Sequence, residues 1–316
     1  MASFSSGVKA EIIKRGVGVQ KEVKKAFLAG FIRATGSIIK VGEEFGFQYY
    51  AESQELADFL KEAIFSVYGF TVECAVTEMD NLNHRQKQTF EVLGKRALDM
   101  LIDLEILSGG KSLRLNQTNL GGVLVSEATK KAFVKGVFVG SGSVTVPKKT
   151  AEKNKATGYH LEVKFNSEDA AVSFIDLLNG FDVYPKITLR RFYVVYLKSS
   201  EDIKDFLALL GANKAVISIT ELMVEKEVMN NVNRQKNCDL ANVNKQLLAS
   251  ENQISAIEKI KKSGKFESLS KDLKETAIVR LENPDETLLE LAEILSVTKS
   301  CINHRLRKLV QIAKEI

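Results

Sequence analysis

The 316-residue sequence predicts an α+β fold in which two αββαββα repeats form an internal pseudo-dimer, followed by an all-α helix-turn-helix domain. Three observations support this prediction. A fifteen-residue segment occurs twice, helical and strand-like periods alternate after each copy, and residues 212–316 contain no convincing strand. An internal repeat constrains the fold more strongly than local propensity, because each copy must form the same structural unit.

The repeated segment is KKAFLAGFIRATGSI at 24–38 and KKAFVKGVFVGSGSV at 130–144. The offset is 130 − 24 = 106 residues, and seven of the fifteen positions are identical. The central part, Leu28–Gly36 in the first copy and Val134–Gly142 in the second, resembles the LAGLIDADG motif of homing endonucleases.

In that endonuclease family the acid before the last glycine binds the catalytic metal. The equivalent positions here hold Thr35 and Ser141. The resemblance therefore implies that the part of the chain with the two motifs, which we call the body, is a degenerate LAGLIDADG-like domain without catalytic residues. It also implies that two helices pack along a pseudo-twofold axis through small residues, with Gly30, Ala34 and Gly36 facing Gly136, Gly140 and Gly142.

The segments after each motif predict one saddle-shaped antiparallel sheet for each half. The first half reads as strand FGFQYYAES, helix QELADFLKEAIFSVY, strands FTVECAVTE and TFEVLG, and helix RALDMLIDLEIL. The second half reads as strand YHLEVKFNS, helix EDAAVSFIDLLNGF, strands VYPKITLRR and FYVVYLKSS, and helix EDIKDFLALLG. Period-two alternation indicates the strands, and 3.6-residue spacing indicates the helices.

The remaining boundaries follow from changes in composition. Residues 230–245 are rich in asparagine and predict a hinge or surface segment, which is either a plain polar linker or a nucleic-acid contact made by Asn233, Arg234 and Lys245. The chain is predicted to contain an N-terminal helical arm at 1–20, a body at 21–220 with repeats at about 21–110 and 125–212, a linker at 221–245, and a helix-turn-helix domain at 246–316 with its motif at about 287–309.

The C-terminal segment carries the start and stop signals of a helix-turn-helix motif. Thr287 and Glu290 match a capping box at the start of one helix, and Thr298 matches the N-cap of the next. Between them, Val297 provides an apolar residue in the turn, and Ser296 occupies a position where glycine is common. The predicted helices are at about 240–262, 269–282, 288–295 and 299–314.

The last helix predicts a DNA recognition surface. Its apolar stripe is Ile302, Leu306, Leu309 and Ala313, so the opposite face presents Ser300, His304, Arg307 and Gln311. Residues 296–314 contain five cations and no acid. The predicted contacts to double-stranded DNA are therefore Thr298, Lys299, Ser300, Asn303, His304, Arg305, Arg307 and Lys308, with Arg305 and Lys308 on phosphates. The alternative is a solvated face of a small helical bundle.

The order of these parts resembles the WhiA family of bacterial regulators over nearly the whole chain. The matching segments are FSSGVK, NNVNRQKNCDLANVNK and SKDLKETAIVRLENPDETLLELAEILSVTKSCINHRLRKL. This resemblance implies a non-catalytic, DNA-binding transcriptional regulator of cell division, chromosome segregation and sporulation-type programmes. It implies promoter DNA, and also other transcription factors, as partners. The body would be monomeric because it is an internal pseudo-dimer, and dimerisation on DNA stays open.

Two other functions remain as alternatives. The first is a residual metal-dependent endonuclease, which would need carboxylates such as Glu43 and Glu44 to hold the metal. The second is a protein-interaction or ligand-sensing body, which is suggested by acids along one predicted helix, Glu52, Glu55 and Asp58.

The composition restricts the remaining function classes. The net charge is only +5, and no apolar run of about 18 residues predicts a membrane span. The first residues lack an apolar signal core, so the expected location is the cytoplasm, associated with the nucleoid. The three cysteines and three histidines have no metal-ligand spacing, so no cofactor or metal is expected, and Cys74, Cys238 and Cys301 are expected to be reduced, buried thiols.

Overall fold

The protein is represented by a computed structural model that describes residues 3–80, 85–108, 114–116, 118, 120–147 and 158–316. The chain divides into two units, Met1–Val224 and Glu225–Ile316. Each unit has its own hydrophobic core.

The first unit contains the predicted αββαββα order twice, which confirms the fold class. A helical arm, α1 (Phe4–Arg15), precedes the first repeat. The first repeat consists of α2 (Lys21–Thr35), β1 (Ser37–Val41), β2 (Glu44–Ala51), α3 (Gln54–Tyr68), β3 (Cys74–Asp80), β4 (Arg85–Leu93) and α4 (Gly94–Asp103). Two short strands, β5 (Leu107–Ser108) and β6 (Arg114–Leu115), follow it.

The second repeat has the same order with shorter strands. It consists of α5 (Glu127–Ser141), β7 (Gly142–Thr145), β8 (His160–Phe165), α6 (Glu168–Asn179), β9 (Lys186–Leu189), β10 (Tyr193–Leu197) and α7 (Ser200–Leu209). Serine N-caps start the middle helix of each repeat, α3 and α6, because a serine hydroxyl accepts a hydrogen bond from a backbone N–H that the helix leaves unpaired. Ser53 caps α3 in this way, and Ser167 caps α6.

The two sheets have equivalent topologies. Their strand orders are β1-β2-β4-β3 and β7-β8-β10-β9, and all pairings within them are antiparallel. The register places Tyr49 opposite Phe90 in the first sheet and Val195 opposite Val163 in the second, and all four side chains are buried. A tight turn at Arg190 joins β9 to β10, with the Arg190 N–H donating to the Phe192 carbonyl at 3.0 Å.

The motif helices α2 and α5 pack in direct backbone contact. A Cβ added to Gly30 would lie 2.3 Å from the Phe133 carbonyl oxygen, and one added to Gly136 would lie 2.1 Å from the Phe27 carbonyl oxygen. A Cβ on Gly140 would lie 2.9 Å from the Ala34 Cβ. These distances confirm that small residues let the two helices approach closely.

The prediction was wrong for Gly36 and Gly142, which do not face each other. A Cβ on Gly36 would meet Ile32, and a Cβ on Gly142 would meet Phe138, so each glycine lies against its own helix. Both glycines are the C-cap residues of their helices, in extended backbone conformation. The chain turns there from helix into strand, and therefore these positions leave the pseudo-twofold axis.

The predicted hinge at 230–245 is helical instead. It lies inside α8 (Asn213–Lys262), a helix of 50 residues. Asparagine costs only a few tenths of a kcal/mol in a helix interior, and the strong helix breakers glycine and proline do not occur between Gly211 and Gly264. The composition therefore indicated a surface segment correctly but gave no reason for the helix to end. The side chains of 224–249 are exposed.

The second unit is a small helical bundle. The C-terminal part of α8 is followed by a short 3-10 helix at Lys265–Ser268 and by α9 (Lys271–Glu282), α10 (Leu288–Ile294) and α11 (Lys299–Lys314). Its core is formed by residues from all four α-helices, including Ile257, Ala277, Leu291, Ile302 and Leu306.

The prediction that the three cysteines are buried was wrong. Cys74 and Cys238 are exposed, Cys301 is half-buried, and none of these three forms a disulfide. His84 lies outside the described residues. Across the described ranges, the helices do not combine the length and the apolar character needed to cross a bilayer.

Candidate nucleic-acid interface

The start of α10 is held by a capping box. The Glu290 N–H donates to Thr287 Oγ1 at 3.3 Å, and the Thr287 N–H donates to Glu290 Oε2 at 2.6 Å. This second hydrogen bond stabilises the carboxylate and lowers the pKa of Glu290. Both contacts confirm the predicted start of the helix-turn-helix motif.

The turn between α10 and α11 is tight. The Val297 N–H donates to the Ala292 carbonyl at 2.9 Å, and the Ser296 N–H donates to the Glu293 carbonyl at 3.1 Å. Ser296 has a φ of 52°, in the left-handed region that usually favours glycine. The Thr298 hydroxyl then accepts from the Cys301 N–H at 3.2 Å and starts α11.

Helix α11 separates a buried stripe from a polar face, as predicted. Ile302, Leu306, Leu309 and Ala313 are buried in the bundle. On the opposite face Ser300, His304, Arg307 and Gln311 are exposed, and Lys299 and Lys308 are also exposed on either side of it. Asn303 is half-buried, at the edge of this face. Six of the eight predicted DNA contacts therefore have accessible or half-accessible side chains around the outer half of α11, with the Thr298 cap at its N-terminal end. They are Lys299, Ser300, Asn303, His304, Arg307 and Lys308.

Arg305 departs from the prediction of a phosphate contact. Its Nη2 donates to Asp272 Oδ2 at 2.9 Å, and its Nη1 lies 3.5 Å from Thr276 Oγ1. Both partners belong to α9, and the Arg305 side chain is only 16% exposed. Position 305 lies between the buried stripe and the outer face, so the long side chain reaches the neighbouring helix instead of solvent.

A groove runs between α8 and the recognition helix α11. It encloses about 550 Å³ and is lined from the α8 side by Ala249, Asn252 and Gln253. The α11 side contributes polar and basic groups, mainly Asn303, Arg307, Gln311 and Lys314. No side chain that lines this groove is acidic, so its chemistry suits an anion or a polar edge such as that of nucleic acid.

Sequence reasoning did not single out Arg280, which organises the loop before α10. Arg280 is buried, and its Nη1 lies within hydrogen-bond distance of the carbonyls of Asn283, Pro284 and Glu286, at 3.2, 3.3 and 2.9 Å. Burial lowers the pKa of Arg280. The Ser250 hydroxyl of α8 also donates to the Pro284 carbonyl, at 2.6 Å. The Asn283–Pro284 loop signal could have suggested that these carbonyls need a buried donor.

In the body, the degenerate motif positions have a structural role. The Thr35 hydroxyl donates to the Phe31 carbonyl at 2.8 Å, and the Ser141 hydroxyl lies 3.5 Å from the Val137 carbonyl. Each hydroxyl is directed to the carbonyl four residues earlier in its own helix. Among the described residues, no group of three or more histidine, cysteine or acidic side chains could hold a metal ion.

The three candidate DNA contacts of the segment predicted as a linker lie on different sides of helix α8. Arg234 and Lys245 are eleven residues apart, which at 3.6 residues per turn places them within about 20° of each other on one face. Asn233 is rotated by about 100° from Arg234 and therefore points to another side. All three side chains are exposed.

Comparison with known protein families matches the chain in three parts. Residues 21–107 match the WhiA N-terminal LAGLIDADG-like domain, 130–229 match the WhiA LAGLIDADG-like domain, and 232–313 match the WhiA C-terminal HTH domain. The full-length DUF199/WhiA crystal structure from Thermotoga maritima is 25% identical, with a TM-score of 0.56 over 100% of this chain and 99% of that one.

Curated relatives agree with these matches over the full length. A protein named probable cell division protein WhiA from Clostridium perfringens is 32% identical over 322 residues, covering 99% of this chain and 98% of the relative. A Thermoanaerobacter protein of the same name is 35% identical over 324 residues, with the same coverage. The degenerate motif pair, the capped helix-turn-helix and these alignments lead to one conclusion, that the chain belongs to the WhiA family.

Proposed function

We propose that this protein is a double-stranded-DNA-binding transcriptional regulator that acts without catalysis. The observation that carries this proposal is the exposed face of α11, which presents His304, Arg307 and Lys308, with Lys299 exposed at the first turn, on a helix fixed by the Thr298 cap and by a tight turn. In helix-turn-helix proteins the first residues of the second helix reach base edges in the major groove.

The chemistry of this face suits direct readout of bases. Arginine and lysine pair well with guanine, and asparagine pairs with adenine. Arg307 and Asn303 are therefore assigned to base edges, and Lys308 to phosphates. Lys299 and Ser300, at the N-terminus of α11, and His304, next to Asn303, complete the surface, with Thr298 contributing as the helix cap. Arg305 is not assigned to DNA, because it pairs with Asp272.

The absence of cleavage is part of the proposal. Two-metal hydrolysis needs carboxylates that hold the metal ions. Thr35 and Ser141 supply hydroxyls that are directed to backbone carbonyls of their own helices. Glu43 and Glu44 have exposed side chains. Such an arrangement supports a packing role for the motif helices instead of metal binding.

The biological process is proposed from the names of the relatives. They are named probable cell division proteins, and we assign this chain to cell division by analogy. The proposal has finer parts. They are a role in chromosome segregation and sporulation-type programmes, binding to promoter DNA, other transcription factors as partners, and localisation to the bacterial nucleoid.

The proposal is tested with one set of labelled genomic fragments. The full chain is incubated with the fragments and magnesium at moderate salt, and the products are run on native and denaturing gels. We expect a few fragments to shift while every strand stays intact. Discrete nicks or breaks would make the protein a nuclease, and an equal shift of all fragments would remove the claim of sequence-specific binding.

The variants Arg307→Ala and Asn303→Ala then test the assigned base contacts. Each is expected to cost about 1–3 kcal/mol at a specific site and to relax the sequence preference. The matched control is Glu315→Ala, which changes an exposed residue at the end of α11 outside the groove and is expected to keep that preference. If Arg307→Ala weakens binding to all sequences equally, Arg307 contacts phosphates instead.

A cavity in the body favours a second candidate role, ligand sensing. It measures about 860 Å³ and is lined mainly by apolar side chains of both repeats, including Phe47, Phe133 and Phe174. Arg33 also lines it, and burial lowers the pKa of Arg33 to about 10, so the guanidinium remains charged at neutral pH. The size and lining are typical of small-molecule sites.

This second role is tested by filling the cavity. Ala170→Trp places a large side chain in the cavity wall, whereas Val172→Trp changes an exposed position of the same helix. We expect the fluorescent apolar probe ANS to bind the wild type and the Val172 variant but not the Ala170 variant. Equal probe binding by all three proteins would exclude this cavity as a site.

A further inference from the structure

Helix α8 carries polar and basic side chains along one line that leads to the groove beside α11, and this line is interrupted by Ala241 and the exposed Leu248. Arg234 and Lys245 lie within about 20° of each other, and Asn252 lies two turns beyond Lys245, again within about 20°. Asn231 and Asn242 lie to one side of this line, about 60° and about 80° from Arg234. We call these five residues the amide-basic face. All five side chains are exposed.

The composition of this face differs from that of the rest of the helix. Between 228 and 252 the acidic residues are Asp239 and Glu251, and both are rotated by about 100° or more from Arg234. Lys236 is rotated by about 160° and lies on the opposite side, near the exposed Val232 and Val243. Glu227, seven residues before Arg234, lies within about 20° of it, so a carboxylate borders the N-terminal end of the amide-basic face. From Arg234 to Asn252 no acidic residue lies within about 90° of this line.

Its C-terminal end joins the candidate DNA surface. Asn252 lines the groove between α8 and α11 together with Asn303, Arg307, Gln311 and Lys314. Arg307 and Gln311 also belong to the exposed face of α11. Both surfaces lie within the second unit, so a ligand on the recognition helix can reach the amide-basic face without leaving this unit.

We propose that the amide-basic face of α8 binds the phosphate backbone of DNA that flanks the site read by α11. This inference rests on the proposed DNA-binding function. Arg234 and Asn252 are eighteen residues apart, a separation of about 27 Å along the helix. That length corresponds to about 8 base pairs at 3.4 Å each. Arg234 and Lys245 supply the charge, and the asparagines donate to phosphate or sugar oxygens.

The experiment measures DNA affinity of the full chain as a function of salt. Arg234→Ala and Lys245→Ala are each expected to lower the slope of log K against log salt by about 0.9, and the double variant by about twice as much. The matched control is Lys236→Ala, which removes one charge from the opposite side of the same helix and should leave the slope unchanged. Circular dichroism checks that α8 remains helical in each variant.

The length of the DNA provides the second measurement. Removing about 8 base pairs from one end of the bound fragment should weaken the wild type to the level of the double variant. Removing the same length from the other end should preserve the difference between the two proteins. The reason is that only one flank of the site can lie along α8.

The outcomes separate this inference from the proposed function. If the wild type binds specifically and Arg307→Ala relaxes the preference, but the double variant keeps the wild-type slope, the inference is wrong and the proposed function stands. In that case the amide-basic face contacts a protein or solvent. If the wild type does not bind DNA at all, both are wrong. A slope change that Lys236→Ala reproduces would indicate a general charge effect and would also overturn the inference.

Discussion

Arg305 on the recognition helix donates to Asp272 on α9, with 2.9 Å between Nη2 and Oδ2. The pair links α11 to the helix that packs behind it, and it withdraws one cation from the face assigned to DNA. Lys308, three residues later, is exposed, and within the described part of the chain it forms no ion pair. Two cations that look alike in the sequence therefore have different expected effects.

Replacing Arg305 should affect stability more than DNA binding. We expect Arg305→Ala to lower the free energy of unfolding of the second unit by about 0.2–1 kcal/mol, because the Asp272 side chain is largely exposed and its ion pair is screened by solvent. Asp272→Asn should have a similar effect, and the double variant should add little to either. Urea denaturation of all three variants measures this. Additive losses would mean that the two residues act independently.

Replacing Lys308 should affect DNA binding more than stability. We expect Lys308→Ala to lower the slope of log K against log salt by about 0.9 while leaving the unfolding midpoint unchanged, because an exposed phosphate contact releases a counterion. Titrations with DNA at several salt concentrations measure the slope. If Lys308→Ala keeps the wild-type slope of log K against log salt and Arg305→Ala lowers it, the assignment of the two residues is reversed.

The contact between α2 and α5 should not tolerate a larger residue. In Gly136→Ala the new Cβ would lie 2.1 Å from the Phe27 carbonyl oxygen, so two backbones would have to move apart. Overpacking of this kind costs about 1–3 kcal/mol. Thermal unfolding of the body measures it. The control is Gly7→Ala in α1, where the added Cβ meets no atom within 4 Å and should be neutral or stabilising.

The loop before α10 should depend on Arg280. Arg280→Met keeps the apolar stem but removes the donor to the carbonyls of Asn283, Pro284 and Glu286. Each buried group left unsatisfied costs about 1–3 kcal/mol. We expect faster hydrogen exchange in α10, and Arg280→Lys should recover part of the protection. Unchanged exchange in Arg280→Met would show that the loop carbonyls find other donors.

The capping box should set the stability of α10. We expect Thr287→Ala to cost about 1 kcal/mol, because the Glu290 N–H loses its acceptor, whereas Thr287→Ser should retain the cap. Hydrogen exchange at the first turn of α10 measures the difference. Equal protection in the two variants would mean that packing against α9 and α11 alone holds this helix.

The fold could be predicted because its signals are local or repeated. The motif pair, the period-two strands and the caps at Thr287 and Thr298 act within a few residues, and the structure confirms the elements that they predict. The hinge at 230–245 was predicted wrongly for a related reason. Amide-rich composition indicates exposure. It does not by itself end a helix, and no glycine or proline interrupts α8 in this segment.

By itself, the sequence determined the family, the order of the elements and the buried stripe of α11, because periodicity and capping are properties of neighbouring residues. Only the tertiary structure decided which partners the long side chains meet. It directed Arg305 to Asp272, placed Arg280 under the loop carbonyls, and turned Gly36 and Gly142 away from the pseudo-twofold axis. It also aligned Arg234 with Lys245 and Asn252 along α8. These contacts depend on how far and in which direction each helix continues, and no short window of sequence contains that distance.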